Sequence, residues 1–258
     1  MSDAIAERFR RLRRDGRRAL VCYITAGHPD SRRSLALLRG IVDAGADIVE
    51  VGVPFSDPLA DGPVIQASSQ HALEGGMTFD RTLELIAEAR VDAPIVLFSY
   101  LNPIIAAGKD ALTRAADAGT HGLLITDLPL GADAALEQRF ADGPLDYVRL
   151  VAPTTPRERM AEIARHGSGF VYLISRLGVT GERADISADL PATVTLLRGV
   201  TDLPVCVGFG ISTPAQAATV ARLADGVVVG SALVRAAEAS VDEGIRLVSN
   251  MRVAIDAV

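Results

Sequence analysis

The chain has 258 residues, 49% of them hydrophobic, with no Trp and a formal net charge of −6. A single aliphatic core of that size suits an α/β barrel, and the acidic balance argues against nucleic acid as the main partner, because phosphate binding needs a basic face. No apolar run reaches the roughly 20 residues that span a bilayer, and the polar, Arg-rich N-terminus does not read as a signal peptide, so the expected location is cytoplasmic.

The first predicted element is a helix. Ile5, Phe9 and Leu12 are spaced four and three apart, which is one helical face. The arginines at 8, 10, 11, 13 and 14 then form the solvated side, their stems covering apolar surface. A docked amphipathic helix is expected rather than a nucleic-acid or membrane arm, and Asp3, Glu7 and Asp15 count against a transit peptide.

From there β-branched runs alternate with Ala/Leu/Arg/Glu-rich stretches. Strands are predicted at 20–25, 47–53, 95–100, 122–126, 147–151, 170–175, 205–209 and 226–229. Helices are predicted at 31–44, 78–89, 110–118, 132–140, 156–165, 190–198, 214–224 and 238–256. Ser31 after Pro29-Asp30, Thr155 before Pro156 and Thr213 before Pro214 mark helix starts. Gly45, Gly119 and Gly167 follow helix ends. Eight strand–helix units with no linker predict a (β/α)8 TIM barrel with an extra N-terminal helix, one domain over 1–258. An open doubly wound sheet is the runner-up. It would normally carry a Gly-rich dinucleotide turn after the first strand, and Thr25-Ala26-Gly27-His28-Pro29 is not one. Cys22 and Cys206 read as buried free thiols, and His28, His71, His121 and His166 show no metal-ligand spacing, so no metal site is expected.

In such a barrel the chemistry lies at the C-terminal ends of the strands. Two glycine turns end the seventh and eighth strands, at Gly208-Phe209-Gly210 and Gly230-Ser231. Glycine lets backbone N–H groups approach an anion, and a helix starting at Ser231 aims its N–H groups inward. A phosphate site is expected there, although strand-to-helix turns are often glycine-rich for no such reason. Glu50 sits in an apolar strand with Val49 and Val51 pointing the other way, so it faces the barrel interior if the valines face the helices. Burial there raises a carboxyl pKa into the range useful for proton transfer. The alternative is a structural acid paired inside the barrel. Asp61, eleven residues on in a loop stiffened by Pro58 and Pro63, favours acid/base work with two separate roles. Asp57 and Asp127 are ambiguous between turns and function. Tyr100 and Tyr172 are ligand contacts or core aromatics, with Tyr172 favoured for a ligand. Its strand leads into the loop 175–181, which reads as a mobile lid.

These residues resemble a known family. Glu50-Val51-Gly52-Val53-Pro54-Phe55-Ser56-Asp57-Pro58-Leu59-Ala60-Asp61-Gly62-Pro63 looks like the signature of the tryptophan synthase α subunits. Tyr23-Ile24-Thr25-Ala26-Gly27, Asp127-Leu128-Pro129, the run 175–181 and Gly208-Phe209-Gly210-Ile211-Ser212 match in the same order. The resemblance implies retro-aldol cleavage of indole-3-glycerol phosphate to indole and glyceraldehyde 3-phosphate, with no metal or organic cofactor in this chain. Glu50 is implied as the general acid/base and Asp61 as the group on the indole N–H. Tyr23, Tyr100, Tyr172 and Thr180 are implied around the substrate, and Gly181, Gly210, Gly230 and Ser231 at its phosphate. A pyridoxal-phosphate β subunit is the implied partner, in an α2β2 assembly, touched by the loop around Pro54 and Asp57 and by Asn102 and Pro103. The pyridoxal phosphate belongs to that partner, and Lys109, the only lysine here, is not a Schiff-base candidate.

The chain departs from the family's usual residues at His28, Gln70, Leu101 and Thr126, several of them near the rim and the implied partner surface. These departures motivate one alternative to the α-subunit reading, a free-standing lyase; a non-catalytic regulatory partner of a β subunit and, on fold alone, another phosphate-binding barrel such as an isomerase or epimerase also stay open.

Overall fold

A computed structural model describes residues 3–174, 189–208 and 210–258. Among these residues eight strands run in chain order: β1 Ala19–Thr25, β2 Ile48–Gly52, β3 Ile95–Ser99, β4 Gly122–Ile125, β5 Asp146–Val151, β6 Val171–Ile174, β7 Val205–Gly208 and β8 Gly226–Val229. Each pairs in parallel with the next, and β8 closes on β1. The helices are α1 Ala4–Arg14, α2 Ser31–Asp43, α3 Pro63–Glu74, α4 Phe79–Ala89, α5 Leu101–Ala106, α6 Ala111–Asp117, α7 Ala134–Ala141, α8 Arg157–Arg165, α9 Leu190–Arg198, α10 Pro214–Ala221, α11 Ser231–Ala239 and α12 Val241–Asp256. The architecture is a (β/α)8 TIM barrel with an extra N-terminal helix.

Strand alternation sorts the apolar residues into two cores. Leu20, Cys22, Val49, Val51 and Leu97 belong to the layer between the strands and the outer helices. Ala19, Val21, Ile48, Val96, Leu124 and Phe170 fill the barrel itself. Helix α1 closes the bottom of that inner core with Ile5, Phe9 and Leu12, all buried. Each such side chain contributes about 1.5–3 kcal/mol by burial. Gly122 makes the room, because a Cβ there would sit 2.9 Å from the Ile5 side chain. With the bottom plugged, the open end of the interior is the C-terminal rim.

Some expected elements shift for identifiable reasons. Asp30, rather than Ser31, caps α2 by accepting from the Arg33 N–H. Thr213 forms a full capping box with Gln216 at the start of α10. Helices α3 and α5 were not expected. The buried face of α3 is Ile65, Ser68, Ser69 and Ala72, so half of its stripe is polar and the periodicity is hidden. Pro63, read from sequence as a loop stiffener, is its first helical residue. The last expected helix, 238–256, is instead two helices. Ser240 is extended, ends α11, and caps α12 by accepting from the Glu243 N–H.

Candidate active site

One cavity opens at the C-terminal rim, and its wall combines three parts of the chain. Tyr23 from β1, Glu50 from β2 and Tyr172 from β6 form the floor. Asp61, Val64 and Ile65 come from the end of the β2 loop and the start of α3. Gly210, Gly230, Ser231 and Arg235 close the far side.

Glu50 is the most enclosed of the acids, at 1% exposure. Its register partners are Tyr23 on β1 and Val96 on β3, both on interior-facing positions. Among the described residues its Oε1 has no hydrogen-bond partner. Burial alone pushes its pKa up to about 8, so the neutral acid is the resting form at pH 7. Asp61 is 7% exposed and is pushed up to about 6, by burial first, with a hydrogen bond from Tyr100 acting the other way. At pH 7 Asp61 is therefore a carboxylate while Glu50 keeps its proton. Two carboxyl groups on one cavity with pKa values set apart by their surroundings can act as acid and base.

Tyr100 stands behind Asp61 and is not part of the cavity wall. Its Oη donates to Asp61 Oδ2 at 3.0 Å and accepts from the Ala60 N–H at 2.9 Å, which fixes the loop end. Gln66, on the first turn of α3, donates to the Asp61 carbonyl at 2.9 Å. The two floor tyrosines owe their places to glycines. A Cβ on Gly52 would lie 2.2 Å from the Tyr23 hydroxyl, and one on Gly208 would lie 2.2 Å from the Tyr172 hydroxyl. Tyr23 also packs edge-on against Phe98, with ring centroids 5.1 Å apart.

The far side is mostly backbone. Gly210 has φ +82°, a left-handed conformation that side chains disfavour. Gly230 precedes α11, whose first N–H groups have no partner within the helix. A helix end of that kind can hold an anion, and the glycine leaves it uncovered. Arg235, one turn further on α11, adds a guanidinium to the same wall.

Thr180 and Gly181, and the lid expected over 175–181, lie outside the described residues, as does Phe209. At the rim, Asp57 and Asn102 are exposed, Pro103 is half-buried in α5, and Pro54 is buried within the chain. Leu59, between Asp57 and Asp61, is 85% exposed. Asp127 accepts from the Leu101 N–H at 2.7 Å and so starts α5. Among the described residues no group of three or more His, Cys, Asp or Glu is arranged to hold a metal ion, and no helix is long and apolar enough to cross a membrane.

The family model described as the tryptophan synthase alpha chain matches residues 9–257. The chain belongs to that family. It is 49% identical over 242 residues to the tryptophan synthase alpha chain of Gluconacetobacter diazotrophicus, covering 92% of this chain and 88% of the relative. It is 46% identical to that of Desulfatibacillum aliphaticivorans, over 92% of this chain and 91% of the relative. Among solved structures it is similar to a tryptophan synthase chain of Mycobacterium tuberculosis, with TM-score 0.91, 36% identity and 99% of each chain covered. It is also similar to tryptophan synthase subunit alpha from Legionella pneumophila, with TM-score 0.90, 35% identity and 100% of each chain covered.

In this member of the family, several wall residues were not found from the sequence. Phe98 was findable, since strand parity puts it on the same interior face as Val96. Arg235 was findable from Ser231, because four residues along a helix return to the same side. Val64 and Ile65 were hidden by the unexpected α3.

Proposed function

We propose that Glu50 and Asp61 carry out the lyase reaction of the family in this chain, the retro-aldol cleavage of indole-3-glycerol phosphate to indole and glyceraldehyde 3-phosphate. One observation carries the reading. A neutral buried acid and an ionised one share a cavity whose far wall is a glycine-rich helix start. The phosphate of the substrate sits at Gly210, Gly230 and Ser231, to which the resemblance adds Gly181, outside the described residues. The indole lies over Tyr23, Phe98 and Tyr172, with its N–H toward Asp61.

The cycle then needs one mobile proton. Glu50 begins as the acid and gives its proton to indole C3. The ring becomes cationic, and the Asp61 carboxylate stabilises that charge through the indole N–H. Glu50, now a carboxylate, takes the proton of the glycerol hydroxyl next to the bond that breaks. The C–C bond cleaves, its electron pair returns to the ring, and the hydroxyl oxygen becomes the aldehyde oxygen. Glu50 ends protonated, as it began. Tyr23 and Tyr172 are held neutral by burial and contribute shape rather than charge. These steps use side chains of this chain alone, with no cofactor of its own.

The product indole goes to a pyridoxal-phosphate β subunit in an α2β2 assembly in the cytoplasm. The exposed Leu59 beside Asp57, and Asn102 with Ile105 on α5, supply an apolar-and-polar rim for that contact. Pro54, being buried, shapes the loop from beneath. The resemblance assigns Thr180 to the same substrate, from outside the described residues.

The test is to incubate the purified chain with indole-3-glycerol phosphate and assay indole, with and without a β subunit. Slow cleavage accelerated by the partner is expected. Strong cleavage that ignores an added β subunit would replace the α-subunit assignment with a free-standing lyase. No cleavage in either case would remove the catalytic roles of Glu50 and Asp61.

A further inference from the structure

Asp61 is the last residue of a tight turn. Its N–H donates to the Pro58 carbonyl at 3.0 Å, so Pro58, Leu59, Ala60 and Asp61 form one four-residue reverse turn. The side chains of the two middle residues give it no support from within the chain. Leu59 is 85% exposed, and Ala60 is exposed as well. A turn without a packed tip opens easily, yet the side chain at its end is the carboxylate that the proposed chemistry needs in place.

Two side chains from other elements hold the turn. Tyr100, at the end of β3, takes its donor-seeking and donor-bearing groups together: the hydroxyl donates to Asp61 Oδ2 and accepts from the Ala60 N–H. Gln66, on α3, takes the carbonyls. Its Nε2 lies 2.9 Å from the Asp61 carbonyl oxygen and 3.3 Å from that of Pro58. A primary amide carries two N–H donors, one for each carbonyl. These are the first and last carbonyls of the turn, so one side chain spans its base. The Pro58 oxygen receives the Asp61 N–H and a Gln66 N–H together, which its two lone pairs allow. Tyr100 fixes the carboxylate; Gln66 fixes the backbone that carries it.

The position of Gln66 follows from the start of α3. Pro63 is the first helical residue, so Gln66 is the fourth. Side chains on a helix lean toward its N-terminus, and the segment N-terminal to α3 is this turn. Val64 and Ile65 line the catalytic cavity and Gln66 does not. Its route to the reaction is therefore the turn and not the substrate.

We propose that Gln66 is a positioning residue, a clamp across the base of the 58–61 turn that holds the Asp61 carboxylate in place for the cleavage. Its part in catalysis rests on the proposed lyase reading; the clamping of the turn does not.

Gln66→Met keeps the length and the helix propensity of the side chain and removes both donors. The experiment measures indole formation by the wild-type chain, Gln66→Met, Asp61→Asn and the double variant. Gln66→Met should lower kcat about tenfold, for the loss of two neutral hydrogen bonds, one of them long. KM should stay within about twofold, because the glycine cradle is untouched. In the Asp61→Asn background the same change should cost less than about twofold, since changes that act through one group are not additive. An unchanged kcat, a rise in KM instead, or the full tenfold loss on top of Asp61→Asn would overturn the catalytic part. Native-state hydrogen exchange reads the clamp itself. The Ala60 and Asp61 amides should exchange about tenfold faster in Gln66→Met. Unaltered exchange at both would overturn the clamp whatever the kinetics show. A wild-type chain that cleaves nothing, while these amides still quicken in Gln66→Met, would refute the lyase reading and leave the clamp.

Discussion

On the β2 side of the barrel mouth the chain places two carboxyl groups, Glu50 and Asp61, and buries both. Across the cavity, after β7 and β8, it places Gly210, Gly230 and the first turn of α11, with few side chains. On the first side the working property is a pKa, produced by loss of water around a side chain. On the second it is the closeness of backbone N–H groups, produced by the lack of one. The acid side should therefore fail when atoms are exchanged at constant volume. The cradle should fail when volume is added without changing charge.

Glu50→Gln is the strongest test of that division. It keeps the shape and removes the mobile proton, so kcat should fall by about 10²–10⁴-fold while KM stays within about twofold. Single-turnover release of indole reads this directly, and a fall in KM-controlled binding instead would break the assignment. The same variant carries a stability signature. Glu50 holds its proton more tightly folded, with a pKa of about 8, than unfolded, near 4.5. The native state thus binds more protons between those values, and wild-type stability should decline as pH rises through that window. Glu50→Gln should flatten the decline and be the more stable protein at pH 8, by denaturant unfolding.

Asp61→Asn should cost less, about 10²-fold in kcat, because it removes a charge that stabilises the ring cation but not the proton carrier. In the wild type, kcat/KM needs Glu50 protonated and Asp61 ionised. It should fall above about pH 8 and below about pH 6. Asp61→Asn should erase the acidic limb alone. A profile that rises through pH 8 would mean that Glu50 starts as the base, and the order of proton steps would have to be reversed.

Gly230→Ala sharpens the other half of the comparison. The nearest atom to an added Cβ is Tyr23 Cβ at 3.6 Å, an ordinary contact, so the barrel should accept the methyl. The phosphate, however, must move away from the helix start. KM should rise about tenfold with kcat nearly unchanged, the loss of about one charge-assisted hydrogen bond. Steady-state kinetics in which kcat falls and KM does not would show that this turn serves the chemistry rather than binding.

The two sides were also legible for different reasons. Glu50 stood out because a carboxylate between Val49 and Val51 breaks an apolar strand, and parity alone turned it inward. Gly230 and Ser231 stood out by position at the end of the last strand. Helix α3 did not, because Ser68 and Ser69 take buried places that a pattern search assigns to apolar residues. Ser68 can do so because its hydroxyl lies 2.7 Å from Thr25 Oγ1 on β1. The edge-on packing of the His28 and His71 rings, 5.5 Å apart between centroids, was equally hidden, since 43 residues separate them and only the closed barrel brings α3 beside the β1 turn. Local spacing finds what one strand or helix positions; it does not find what two elements make between them.

Tyr100 is the smallest of the expected effects and the one that joins pKa to geometry. The resemblance placed it at the indole, but its hydroxyl is occupied with Asp61 and with the Ala60 N–H. A hydrogen bond to a carboxylate favours the charged form, so Tyr100 holds the Asp61 pKa below where burial alone would put it. Tyr100→Phe keeps the ring, its stacking near Phe55 and most of the packing. It should lower kcat/KM at neutral pH by about fivefold to tenfold, the usual worth of one ordinary hydrogen bond. The acidic limb of the pH profile should also move above pH 6. A contact that only lined the indole pocket would raise KM and leave that limb in place, so the position of the limb decides whether Tyr100 acts on substrate or on Asp61.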